Sequence, residues 1–107
     1  MTSNNEKIIC FLRKAKEAAR DKNRRIFKSR TENMNTLAKL GMTIDDVWDE
    51  IQELNMTNYL RGPELDDKGR DSDDVWFFQK RVYGQDVYIK MSYKEGKQLV
   101  VVISFHC

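Results

Sequence analysis

Tyr88 and Lys90 stand two residues apart in the run Asp86-Val87-Tyr88-Ile89-Lys90, and the chain's single histidine, His106, stands one residue from its end. Residues two apart in a strand share a face, so the phenol and the ammonium project side by side. His106 follows Leu99 to Ile103, five aliphatics of which four are β-branched, a pattern that reads as a buried strand. A strand end holds a side chain rigidly at a sheet rim, and imidazole is the side chain that titrates nearest neutrality. Such a set suits metal-free cleavage of RNA. That reaction deprotonates a 2′-hydroxyl, stabilises charge on the phosphorane oxygens and protonates the leaving 5′-oxygen. Lysine and arginine supply the positive field, while Phe77 or Tyr88 offers a face for a base. The bland alternative is a solvated sheet face carrying a surface histidine.

Other chemistries find no support. The site set has no carboxylate pair for glycoside hydrolysis, and the glycines are isolated, so there is no phosphate-cradling loop. Cys10 and Cys107 lie at opposite ends with no metal-ligand spacing, and with one histidine they do not make a zinc site. No metal and no cofactor are expected, and the two thiols are expected reduced.

At 107 residues the chain suits one domain with one core. With 34% charged and 40% hydrophobic residues it reads as a soluble globular protein. It has no apolar run long enough to span a membrane and no secretory leader, so a cytoplasmic location without membrane partners is expected. The net charge of +2 conceals a segregation. Residues 1–41 carry a net of +7, 42–75 a net of −8 and 76–107 a net of +3. The basic segments either meet a polyanion or are neutralised by the acidic one.

The elements that must position the site follow from periodicity. Ile8, Phe11, Leu12, Ala15 and Ala19 make one face of a helix over 6–21, capped by Ser3 or Asn4. Ile26-Phe27-Lys28 reads as a short strand. Thr31 is the expected N-cap of a second helix facing inward through Met34, Leu37 and Ala38, with Gly41 as its stop. Thr43 opens a third helix on Ile44, Val47, Trp48, Ile51 and Leu54. Thr57 to Leu60 reads as one more helical turn, and Arg61 to Asp74 as a mobile loop. Three strands then run over 75–82, 86–93 and 98–105 as an antiparallel meander. Helices first and sheet afterwards predict an α+β domain, with the helices packed on one face of the C-terminal antiparallel sheet.

Strand parity sorts the faces. Val87, Ile89, Met91 and Tyr93 face the core, and Tyr88, Lys90 and Ser92 face away. A type II′ turn with Gly84 first would pair Arg81 with Tyr88 and Gln79 with Lys90, placing Phe77, Gln79 and Arg81 on the polar face. Lys80 then points inward, with its stem on apolar surface and its amine reaching water. The last hairpin leaves two outcomes. A four-residue loop at 94–97 turns His106 to the core. A three-residue loop at 95–97, or a β-bulge, turns it to the face of Tyr88.

The order Tyr59-Leu60-Arg61-Gly62-Pro63-Glu64, Asp74-Val75-Trp76, Asp86-Val87-Tyr88-Ile89-Lys90 and Val100-Val101-Val102-Ile103-Ser104-Phe105 resembles the motility quorum-sensing regulator (MqsR) family of toxins, over about residues 43–107. The resemblance implies a RelE-like fold, a ribosome-independent mRNA endoribonuclease and neutralisation by a cognate antitoxin, expected to be of helix-turn-helix type. It places the family's catalytic tyrosine on Tyr88. His106 replaces a family lysine after the Ser-Phe pair, and Phe77 replaces a glutamine, for which Gln79 could substitute. The family's loop lysine falls near Leu60 or Arg61. The expected catalytic set is therefore His106 as general acid with Tyr88, Lys90 and Gln79, and Arg61, Arg81 and Phe77 are expected to bind RNA and its phosphates. Two other functions fit the same chain: a non-catalytic nucleic-acid- or protein-binding module, and a ribosome-dependent nuclease of this fold.

Overall fold

Apolar spacing along the first helix decides which sheet face is covered. The computed structural model describes residues 4–65 and 74–107. Helix α1 (Asn4–Ala19) buries Ile8, Phe11, Leu12, Ala15, Ala18 and Ala19. Helix α3 (Ile44–Gln52) buries Val47, Trp48 and Ile51. It starts at the expected capping box, with Thr43 Oγ1 accepting from Asp46 N–H and the Asp46 carboxylate accepting from Thr43 N–H. Both helices lie on one face of a sheet and share a single core with Phe78, Val87, Ile89, Met91, Val100, Val102 and Phe105. Phe11 stacks on Trp76 with ring centroids 4.7 Å apart, so the first helix meets the first long strand through aromatic faces.

The architecture is the expected α+β fold, with a wider sheet. Strands β1 (Arg25–Phe27), β2 (Tyr59–Leu65), β3 (Asp74–Val82), β4 (Gln85–Lys94) and β5 (Leu99–His106) run in the order β1-β5-β4-β3-β2. The meander β3-β4-β5 is antiparallel as expected. The short strand expected at Ile26 adds to β5 in parallel, from Arg25 opposite Val100 to Phe27 opposite Val102. The turn expected at Thr57 to Leu60 is a 3₁₀ turn over Met56–Asn58 that gives way to β2 at Tyr59. Residues 61–65 are therefore strand, not loop. Gly62 and Pro63, joined by a cis peptide, sit among two irregularities in the β2–β3 register, and this broken alternation hid the strand. The rest of the expected loop, 66–73, and the expected cap Ser3 lie outside the described residues.

Helix α2 (Thr31–Leu40) differs in its inward face. Its N-cap is Arg30, which contributes no side-chain cap, and Gly41 ends it in the left-handed conformation as expected. Met34 and Ala38 are exposed, and Asn33, Thr36 and Leu37 are buried. Polar groups can point inward here because each is bonded. Thr36 Oγ1 donates to Glu32 O, and the Asn33 amide bonds the backbone of Lys28 and of β5.

Both hairpins also depart from expectation in detail. The first turn is Tyr83-Gly84, with positive φ at both residues, so glycine comes second in a type I′ geometry. Gln79 consequently faces Tyr88, Phe77 faces Lys90 and Arg81 faces Asp86. Each partner moves by two, which preserves the faces. In the second hairpin Lys94 pairs with Leu99 across residues 95–98, and Gln98, not Gly96, takes the left-handed φ. Cys10 and Cys107 are free and exposed.

Lys80 points toward the helix side, as parity requires, and does not reach for water. Its Nζ donates to Glu50 Oε1 at 2.7 Å and lies 3.5 Å from Glu53 Oε1. Burial alone would lower the amine, but the hydrogen bond and charge of Glu50, with Glu53 behind it, outweigh burial and raise it above the ordinary lysine value. A raised value means that the bond's contribution is whole below the unfolded lysine pKa of about 10.4 and is lost as pH rises through the folded value. Lys80→Met should lower unfolding free energy near neutrality by about 2 kcal/mol. In urea melts this deficit should hold steady to about pH 10 and shrink above it.

Candidate functional site

The face not covered by α1 and α3 carries two cross-strand rows. One runs Arg61, Phe77, Lys90, Ser104 across β2, β3, β4 and β5. The other runs Gln79, Tyr88, His106 across β3, β4 and β5. The strand ladder itself thus brings residues far apart in sequence into adjacent positions. A pocket of about 230 Å³ opens where the rows meet, and Arg61, Phe77, Tyr88, Lys90, Ser104 and His106 line it. Small-ligand pockets usually span about 300–1,000 Å³. This one is smaller.

The β-bulge alternative is the one the structure adopts. The ladder runs from Lys94–Leu99 to Met91–Val102 and resumes at Lys90–Ser104, so Ile103 is the extra residue. After it, Phe105 enters the core and His106 stands opposite Tyr88. Their ring centroids are 6.5 Å apart. Tyr88 is 47% exposed, open enough to meet a large substrate.

Arg61 and Lys90 share one aromatic support. The Arg61 guanidinium carbon lies 3.8 Å from the Phe77 ring centroid, and Lys90 Nζ lies 5.7 Å from it. The ring quadrupole attracts both cations. Glu64 accepts from Arg61 Nε at 2.7 Å and fixes the fork's direction. Two expected residues stand apart from the pocket lining. Gln79 shares the row of Tyr88 and is half-buried, and its backbone carbonyl accepts from Asn58 Nδ2. Arg81 is exposed and bonds Asp86 at 3.1 Å.

Sequence reasoning missed two neighbours from α2. Glu32 Oε2 lies 3.9 Å from His106 Nε2, and Asn33 is bonded to Ile103 O and Phe105 N–H. A signal existed: Asn33, Thr36, Leu37 and Leu40 have the i, i+3, i+4, i+7 spacing of a buried face headed by an amide. A larger cleft of about 540 Å³ opens beside α1, where Trp76 and Phe11 meet Lys14, Glu95 and Asp74. Its lining holds a phenol and two cations, Tyr93 with Lys7 and Lys14, offset by the carboxylates of Glu6, Asp74 and Glu95, and no imidazole.

Helices on one face and a cationic, aromatic face on the other define an α+β domain with an open sheet surface around the pocket. The family described as motility quorum-sensing regulator, toxin of MqsA, matches residues 7–107, and the chain belongs to it. The chain is thereby a toxin of a toxin–antitoxin system, and the family implies an antitoxin partner. No curated protein matches the chain. No helix among the described residues is long and apolar enough to cross a membrane.

Gly62 carries the positioning of Arg61. Its φ is +123°, and a Cβ there would meet Val75 O at 2.9 Å and Trp76 Cα at 3.0 Å. Gly62→Ala should therefore cost about 2 kcal/mol or more and shift the Phe77 ring resonances as Arg61 moves. Gly96→Ala, which meets nothing within 4 Å, should change stability by under about 0.5 kcal/mol and leave Phe77 unmoved. Chemical denaturation and aromatic NMR spectra of the two variants check both outcomes.

Proposed function

We propose that the chain is a metal-independent mRNA endoribonuclease that acts without the ribosome, in the cytoplasm, and is neutralised by an antitoxin of helix-turn-helix type. The observation that carries this reading is the convergence of Tyr88, His106, Lys90 and Arg61 on one pocket of an open sheet face. The chemistry needs no more than these groups. The substrate's 2′-oxygen loses its proton to water and bonds to the adjacent phosphorus. The bond from phosphorus to the 5′-oxygen breaks, and that oxygen takes a proton from the protonated His106 imidazole. The Tyr88 phenol donates a hydrogen bond to a non-bridging oxygen. Lys90 and Arg61 balance the charge that develops on the phosphorane.

Phe77 gives a base a face to stack on, beside the two cations it supports. Gln79 lies opposite Tyr88 on the same face, one strand away, and in this reading serves to orient the phosphate that Tyr88 contacts. Arg81, bonded to Asp86, serves a phosphate further along the strand. The products are a 2′,3′-cyclic phosphate and a 5′-hydroxyl.

Purified protein should cut naked RNA to these ends in the presence of EDTA. His106→Ala and Tyr88→Phe should each slow cleavage by about 100-fold or more while leaving far-UV circular dichroism unchanged. Cleavage at the parental rate in either variant overturns the residue's role. Cleavage that appears only when ribosomes are added points to a ribosome-dependent nuclease. Salt-sensitive RNA binding with no cyclic-phosphate product points to a binding module.

A further inference from the structure

His106 reaches the face of Tyr88 only through the bulge at Ile103. Val100 and Val102 enter the core, and so does Phe105, an odd interval that a regular strand cannot produce. Continued unbroken, the register set at Lys94–Leu99 would bring Phe105 opposite Tyr88 and turn His106 to the side of Val87. The bulge therefore has to be held, and it lies where sheet support ends. The last β1-side bond is Lys28 N–H donating to Val102 O at 3.0 Å.

One side chain takes over from there. Asn33 Nδ2 donates to Ile103 O at 2.9 Å and to Lys28 O at 2.8 Å, and Asn33 Oδ1 accepts from Phe105 N–H at 3.0 Å. The amide offers a donor and an acceptor to residues two apart on β5, as a neighbouring strand would. Asn33 is 1% exposed, so water does not compete for these bonds. The preceding residue, Glu32, brings its carboxylate to within 3.9 Å of the His106 ring.

We propose that Asn33 is the positioning residue of the site: its amide locks the Ile103 bulge and so holds His106 on the face of Tyr88, with Glu32 orienting the ring. The catalytic consequence rests on the ribonuclease reading above, but the geometric one does not. Asn33 reaches the substrate only through the backbone of β5. Replacing it alters proton delivery and leaves Arg61, Lys90 and Phe77 in place to bind RNA.

The test compares Asn33→Leu, Asn33→Asp and Glu32→Gln with the parent chain, using an RNA oligonucleotide and NMR. In folded Asn33→Leu the nuclear Overhauser contact between the Tyr88 and His106 rings should vanish and Phe105 amide exchange should accelerate. kcat should fall about 100-fold, with KM within about twofold. Asn33→Asp keeps the acceptor for Phe105 N–H but sets a buried carboxylate against the Ile103 and Lys28 carbonyls. Where it folds it should lose the ring contact and kcat as Asn33→Leu does. If neither variant folds, Phe105 amide exchange in the parent chain serves, slow exchange supporting the Asn33 lock and fast exchange overturning it. Glu32→Gln changes an exposed residue, and a several-fold fall in kcat at constant KM supports its orienting role. Retention of the ring contact and of kcat in folded Asn33→Leu and Asn33→Asp overturns the proposal. Loss of the ring contact in Asn33→Leu, with a parent chain that never cleaves RNA, supports the positioning role and overturns only the ribonuclease reading.

Discussion

One extra residue in β5 governs what the sheet presents. Side chains of a strand alternate, so every residue after Ile103 belongs to a face decided by the bulge. Phe105 fills the core beneath Ile89, and Ser104 and His106 turn to Lys90 and Tyr88. The constraint acts in both directions. Phe105 is fully buried and would leave a large void if the bulge slipped, so the core enforces the face on which His106 stands. The Asn33 amide closes the same arrangement from the side, where β1 has ended.

The helices divide the sheet into a supporting and a presenting face. Helices α1 and α3 seal one side with aliphatic and aromatic contacts, and the Lys80–Glu50 bond fastens β3 to the end of α3 at its polar margin. Rigid support beneath β3 and β4 is what allows Phe77, Tyr88 and Lys90 to stand at fixed spacing on the outer side. A small outer cluster of Val75, Val101 and Ile103, with Phe77 and Leu99, occupies the same face beyond the pocket. The site is thus bounded by apolar surface on one side and by α2 on the other.

Strong periodicity made the core legible. The faces of α1 and α3 and the inward set of β4 follow from apolar spacing alone, and Tyr88 and Lys90 follow from them. The last hairpin stayed ambiguous because its register depends on a loop, a left-handed Gln98 and a bulge, and these leave no hydropathy mark. Helix α2 turns Leu37 inward as its spacing predicts, but burial around it is driven by hydrogen bonding: Asn33 and Thr36 are inward, and Met34 and Ala38 outward. Strand β2 was obscured by Gly62 and Pro63, which read as loop residues and act as irregularities in an edge strand. The face on which a residue of a regular strand stands was legible, as for Phe77, Tyr88 and Lys90. Those that depend on another element's backbone, such as Glu32 and Asn33, were not.

Two departures from the family pattern meet at one contact. Where the resemblance leads one to expect a glutamine stands Phe77, and near the expected lysine stands Arg61. The two face each other across β2 and β3, with the guanidinium carbon 3.8 Å from the ring centroid. A flat, weakly hydrated guanidinium stacks on an aromatic face far better than an ammonium does. A glutamine at 77 would offer no such face, and a lysine at 61 would gain less from it. The two residues therefore act as one unit: the ring orients the cation, Glu64 fixes its remaining freedom, and positive charge is held over the pocket by stacking. His106 is the third departure, and it stands at the far end of the pocket from this pair. On the ribonuclease reading proposed above, that separation lets charge stabilisation come from Arg61 on β2 and Lys90 on β4, and proton delivery from β5.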